Sequence, residues 1–455
     1  MYLWLSTQYG SGTRPSWRRH PACRAATPGS LGELRSPKPG ANGSILEAAL
    51  ALHMEPIFPK TIKLGLAILA CLGAHLIAAS SPSEPQAPGS WNPKAAAAYL
   101  DQRETWWMAW PAAARDHGTF CVSCHTALPY ALARPALRSA LGETAPSPDE
   151  RKLLDSVEKR VRLWKEVKPF YTETNGDHKT VQSRGTESIL NALILANADT
   201  ANGKLSDITR AAFDNMWALQ VKTGDRAGAW AWLDFGNEPF EATDSLYYGA
   251  ALAAVAVGTA PENYRAAPEI QPDLKLLAEF LRRESSRQPV IHQVVALWAA
   301  TKWPGLLPPA QQKSIIDDVL GRQQADGGWG LSSLGWTFRG LSLHSLVNLW
   351  FHSNDKPLDG KSDGYATGLI VFALGQAGVP HDDAHLQRGR SWLVRNQNQS
   401  EGLWPGYSLV NKRDPSYGTG LFMNDAATAY AVLALTAGGA DPLVRKGPPG
   451  PVLRQ

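Results

Sequence analysis

The chain has 455 residues, 44% of them hydrophobic and 19% charged, with 45 Lys and Arg against 41 Asp and Glu. That length admits two or three domains, or one large helical body with a small appendage. Eight of the bases and three of the acids fall in residues 1–79, and the remainder carries 37 bases and 38 acids. A net charge of −1 on that remainder excludes the basic footprint of a nucleic-acid binder, so no nucleic acid is expected as a partner.

Residues 1–53 lack periodicity and are rich in Arg, Pro, Gly and Ser, the pattern of a disordered extension or of sequence ahead of the true start at Met54. Residues 54–79 read as a signal peptide: Lys60 and Lys63 precede an apolar core, and Ala78-Ala79-Ser80 suits cleavage. The apolar run carries His75 and falls short of the ~20 residues that span a bilayer, so no stable membrane span is expected. Lipid attachment at Cys71 is disfavoured because that residue lies inside the apolar run. The mature chain is therefore expected in the periplasm or secreted, with residues 80–93 as a Pro/Ser-rich linker.

Residues 94–146 carry short helical patterns at 94–100, 105–114 and 128–141 around Phe120-Cys121-Val122-Ser123-Cys124-His125-Thr126. Two thiols three positions apart, followed at once by an imidazole, resemble the haem-attachment motif of c-type cytochromes. The resemblance implies one covalent haem c bound by Cys121 and Cys124, with His125 as an axial ligand of the iron. Trp106, Trp107 and Trp110 would then wall the porphyrin. No methionine follows at the expected distance, which leaves His117, His178 or Met216 as second ligand, or an open position. A redox-active dithiol, a simple disulfide or half a zinc site are the other readings. Zinc lacks a second Cys pair, since Cys23 and Cys71 lie in segments expected to be removed, and the dithiol lacks a βαβ context.

From 147 to 440 the sequence repeats. Trp217 and Gln220 lead through Gly228 and Trp230 to Asp244 and an apolar run at 246–257. Gln324-Ala325-Asp326-Gly327-Gly328-Trp329-Gly330 leads to Asp363 and a run at 369–378. Trp392 and Gln397 lead through Gly402 and Trp404 to Asp425 and a run at 429–436. A weaker unit places Trp164 and Glu187 before 189–196, and 291–301 is one more apolar helix. Helices apolar all round must be buried, so half-buried and fully buried helices in alternation predict an α/α toroid.

The stretch at Gln324 to Gly330 resembles the Gln-Trp repeat of the squalene–hopene cyclase and prenyltransferase superfamily. That resemblance implies the terpenoid-cyclase-like barrel, with Gln324 and Trp329 as structural residues. The chemistry of that superfamily is not implied. Asp317-Asp318 and Asp382-Asp383 are the only adjacent Asp pairs, and neither sits in the motif of a class I or class II cyclase. Parallel inner helices would bring Glu187, Asp244, Asp363 and Asp425 to one mouth. There they would act as helix caps or, for Asp244, Asp363 and Asp425, as catalytic acids and bases.

The resulting expectation is an all-α protein, a haem c segment at 94–146 followed by a toroid at 147–440 and a disordered tail at 441–455. It would be an exported haem protein for electron transfer, or a haem-dependent oxidoreductase, with a redox partner protein and an apolar small molecule held by the toroid. The alternatives are a terpenoid-cyclase-like enzyme without redox role, a binding module with the haem as sensor, and a carbohydrate-active toroid suggested by the 17 Trp.

Overall fold

A computed structural model describes residues 90–172, 178–335, 361–409, 414 and 417–437. The expected leader at 54–79, its upstream extension and the tail at 441–455 lie outside the described residues.

Twelve α-helices occur among the described residues. They are α1 (Pro93–Ala109), α2 (Ala127–Leu141), α3 (Pro148–Arg162), α4 (Lys179–Asp199), α5 (Asp207–Ala218) and α6 (Ser245–Thr259), followed by α7 (Gln271–Glu284), α8 (Val290–Lys302), α9 (Pro309–Gly321), α10 (Gly364–Gln376), α11 (Ala384–Asn396) and α12 (Phe422–Thr436). A two-residue antiparallel pair, β1 (Ala114–Arg115) with β2 (Thr119–Phe120), stands between α1 and α2.

The even-numbered helices form a closed inner ring. Each packs on the next in the order α2, α4, α6, α8, α10, α12, and α12 packs back on α2. The odd-numbered helices lie outside, with α1 against α2 and α12, α3 against α4, α7 against α6 and α9 against α8. The composition of the inner helices explains this placement. In α6, every residue from Tyr247 to Val257 is buried, and in α10 every residue from Gly364 to Leu374. A helix with no polar stripe has nowhere to go but the interior. Small residues let these helices approach: a Cβ on Gly368 would stand 2.6 Å from the backbone nitrogen of Ala431, so α10 and α12 pack backbone to backbone at that point.

The caps follow from sequence. Asn92 accepts from the Ala95 amide ahead of Pro93, and Ser147 and Glu150 form a reciprocal capping box on α3. Ser206 opens α5 and Asp383 opens α11 in the same way.

The Gln and Trp of the repeats close the loops between layers. The indole N–H of Trp230, Trp329 and Trp404 donates to the carbonyl of Met216, Val319 and Leu393 respectively, near the end of the preceding outer helix. Gln220 donates to the Asp273 carbonyl at the start of the next outer helix. Gln397 donates to the Asn92 carbonyl at 3.1 Å and accepts from the Asn92 amide at 2.6 Å. That last pair joins the final repeat to the first outer helix and seals the ring.

The toroid is thus as expected, but its boundary is not. The segment expected to hold haem supplies α1 and α2, one outer and one inner helix of the ring. The helix expected at 189–196 begins at Lys179, so Glu187 lies inside α4 and not at its start.

Candidate active site

The inner helices run parallel, so their N-termini share one rim, and the Cys121–His125 stretch belongs to it. Ser123 accepts from the amides of Thr126 and Ala127 and so caps α2. The Thr126 hydroxyl donates to Asp425 Oδ2 at 2.7 Å, which leaves it to accept from Nδ1–H of His125 at 2.9 Å.

The haem c expectation is overturned by this packing. Both thiols lie inside the core, Cys121 at 4% and Cys124 at 1% exposure, where burial pushes Cys121 up to about 12 and Cys124 well above its ordinary value. Phe422, the first residue of α12, packs among the aromatic residues expected to wall the porphyrin. Its ring stacks on His125 at 3.8 Å and meets Trp106, Trp107 and Trp110 at 6.1, 5.7 and 6.2 Å between centroids. The second-ligand candidates are not gathered either. His117 is exposed beside Asp116, His178 is exposed at the start of α4, and Met216 is buried in the outer helix α5. Among the described residues no group of three or more His, Cys, Asp or Glu could hold a metal ion. The residues do not fit haem, and with it go the cytochrome and electron-transfer readings.

The four acids of the expected ring meet different fates. Asp425 sits in the first turn of α12, fully buried. It accepts from Arg103 Nε and Tyr99 at 2.7 and 2.8 Å on one oxygen, and from Arg103 Nη2 and Thr126 at 2.9 and 2.7 Å on the other. Burial pushes its carboxyl upward, and the Arg103 guanidinium opposes this. Asp363 caps α10 through the amides of Tyr365 and Ala366, both at 2.9 Å, and binds the Leu331 amide at 2.6 Å. Burial pushes it up to about 7 against those three bonds. A cavity of about 10 Å³ beside it has room for a single water at most. Glu187 is buried against Arg160 at 2.5 Å, and desolvation raises its carboxyl.

Asp244 differs. It precedes α6, and among the described residues its side chain makes no capping bond and its Oδ2 has no hydrogen-bond partner. It lines a cavity of about 520 Å³ formed where the loop after α5, the first turn of α6, the last turn of α7 and the turn before α8 converge. Carboxylates Asp225 and Glu284, guanidiniums Arg226, Arg283 and Arg287, the Gln288 amide and the rings of Tyr247 and Phe280 share the lining. Glu284 is held by Arg283 at 2.8 Å and Arg287 at 3.3 Å, and Arg283 also lies over the Phe280 ring. Behind Asp244, the buried His292 of α8 places Nδ1 4.0 Å from Oδ2.

The sequence points to Asp244 but not to its neighbours. Arg283, Glu284 and Gln288 follow no repeat position. The one available signal was His292, the only ionisable residue in the apolar run at 291–301.

No family model matches the chain, and no curated protein matches it. Solved structures with some likeness include a glycosidase bearing a glutamate-to-alanine substitution, with a TM-score of 0.42 and 15% identity over 75% of this chain and 98% of that one. Another such glycosidase, in complex with glucose, has a TM-score of 0.40 and 15% identity over 75% and 98%. A variant of UGL with dGlcA-Glc-Rha-Glc has a TM-score of 0.42 and 11% identity over 75% and 94%. Likenesses this distant carry no argument about activity. The expected kinship with c-type cytochromes and squalene–hopene cyclases is nonetheless corrected, since no family model of either kind matches and the motif residues of the first do not fit their group. What fold and site define together is an α/α toroid, with twelve helices among the described residues and a polar cavity at the rim where its inner helices begin.

Proposed function

We propose that this toroid is carbohydrate-active and that the cavity beside Asp244 takes a saccharide unit. The observation that carries the reading is the state of Asp244. Of the four acids expected at the rim, it is the one that lines the large cavity with an oxygen still available for hydrogen bonding.

The lining supports the same class of ligand. A volume of about 520 Å³ falls in the range of small-molecule sites. Sugars present hydroxyls in fixed directions and an apolar C–H face. Carboxylates, guanidiniums and an amide match the hydroxyls, and the rings of Tyr247 and Phe280 match the face. Asp244 would serve as general acid or base, with Glu284 as the second carboxylate that glycosidic cleavage requires. The apolar substrate expected from sequence finds no support in so polar a lining.

The test is a panel of neutral and uronate-containing oligosaccharides, with binding followed by calorimetry and cleavage by release of reducing ends. Asp244→Asn should lose activity by about 100-fold or more while the far-ultraviolet dichroism is unchanged. Absence of binding across the panel, or full activity in Asp244→Asn, sinks the proposal.

A further inference from the structure

The rim contains a pair of atoms whose hydrogen bonding is incomplete. His292, 1% exposed in the first turn of α8, has Nε2 at 2.8 Å from the Pro239 carbonyl. A carbonyl can only accept, so Nε2 carries a hydrogen and Nδ1 of the neutral ring offers a lone pair. Burial, the largest influence on this imidazole, pushes it below its ordinary range despite the pull of Asp244, and so favours that neutral ring. Nδ1 faces Asp244 Oδ2 at 4.0 Å, and neither atom has a hydrogen-bond partner among the described residues.

Two buried acceptors at that spacing do nothing for each other, and leaving both unmet is costly. One water satisfies both, because it carries two O–H bonds. Placed about 2.8 Å from each, it would see them about 90° apart, near the angle between the two O–H bonds of water. Gln288 Oε1, on the lining of the same cavity, is a further acceptor without a partner.

We infer that Asp244 and His292 together form a water site directly behind the part of the cavity wall that Asp244 supplies. The water donates one O–H to each of them, and in the complex its lone pair accepts from a saccharide hydroxyl. His292 is thereby a positioning residue: it fixes where the water sits against the Asp244 carboxylate. Only the contact with the saccharide rests on the carbohydrate reading.

The experiment uses the full chain with ¹⁵N-labelled histidine, the ring nitrogens being observed through their carbon-bound protons at neutral pH. His292→Gln identifies the signal by its loss. The expected result is a neutral ring protonated on Nε2, with an Nδ1 resonance displaced toward the hydrogen-bonded range. It moves again when an oligosaccharide from the panel is added, and His292→Gln binds that oligosaccharide about tenfold more weakly. An imidazolium protonated on both nitrogens would overturn the inference, because the pair would then be a salt bridge with no donor between. So would a ring protonated on Nδ1. If the ring is as expected and no oligosaccharide moves it, the water site stands and the carbohydrate proposal fails. If an oligosaccharide is cleaved and Nδ1 does not move, the contact between that water and the saccharide is refuted.

Discussion

Glu104 lies fully buried in α1, and neither of its carboxylate oxygens has a hydrogen-bond partner among the described residues. Burial pushes its carboxyl from an ordinary 4.5 up to about 8, helped by the charges of Asp425 and Asp149 and opposed by Arg103 and Lys152. The folded chain therefore holds a proton that the unfolded chain releases above pH 4.5. Its contribution to stability is complete below 4.5 and is lost as the pH rises toward 8. The slope is about 1.4 kcal/mol per pH unit for one proton. Over the interval between the two values the loss has a ceiling on the order of 5 kcal/mol. Glu104→Gln keeps the shape and removes the ionisation. Denaturant midpoints followed by circular dichroism from pH 4.5 to 9 should coincide for the two proteins at the acid end. They should then separate, with the variant more stable by a few kcal/mol at pH 8. Asp363 titrates in the same direction but is present in both proteins, so it cancels from the difference. Parallel curves across the whole range would refute the argument and place a charge-compensating group beside Glu104.

Removing Asp425 with Asp425→Ala leaves the Arg103 guanidinium buried without its partner, which should lower stability by about 3–5 kcal/mol in thermal melts; a loss under 1 kcal/mol would contradict the network. Gly368→Ala forces a methyl against the α12 backbone and should cost about 1–3 kcal/mol, with an unchanged melting temperature as the refuting result. In a Cys23→Ser, Cys71→Ser background, Cys121 and Cys124 should react with a thiol reagent only after denaturation, since both are buried. Prompt reaction in the native state would mean that the segment opens and that the thiols are not held in the core.

The toroid could be read because its inner helices have no polar face, a property visible in the runs at 246–257 and 369–378 without any knowledge of partners. The Trp and Gln of the loops could be read as structural for a similar reason, since they recur at fixed places relative to those runs. The segment around Cys121 misled because residue types alone suggested its chemistry, while its burial and its neighbours, among them Phe422 stacked on His125, are set by parts of the chain distant in sequence. Glu187 and Asp425 looked equivalent to Asp244, and only three-dimensional neighbours distinguish them. Arg160 and Arg103 arrive from outer helices and occupy the first two, whereas among the described residues no cation comes within hydrogen-bond distance of the third. The cavity was invisible for the same reason, being assembled from four segments that share no pattern.

The contact between Gln397 and Asn92 has a bearing on how the molecule comes apart. A helical stack with two free ends can peel from either one, losing a hairpin at a time. Here the last hairpin clasps the first, so no hairpin is terminal and removing any one exposes two apolar flanks instead of one. Unfolding should therefore be concerted around the whole ring. A circular permutant that links residue 437 to residue 90 and opens the chain at a different outer loop should keep the same architecture.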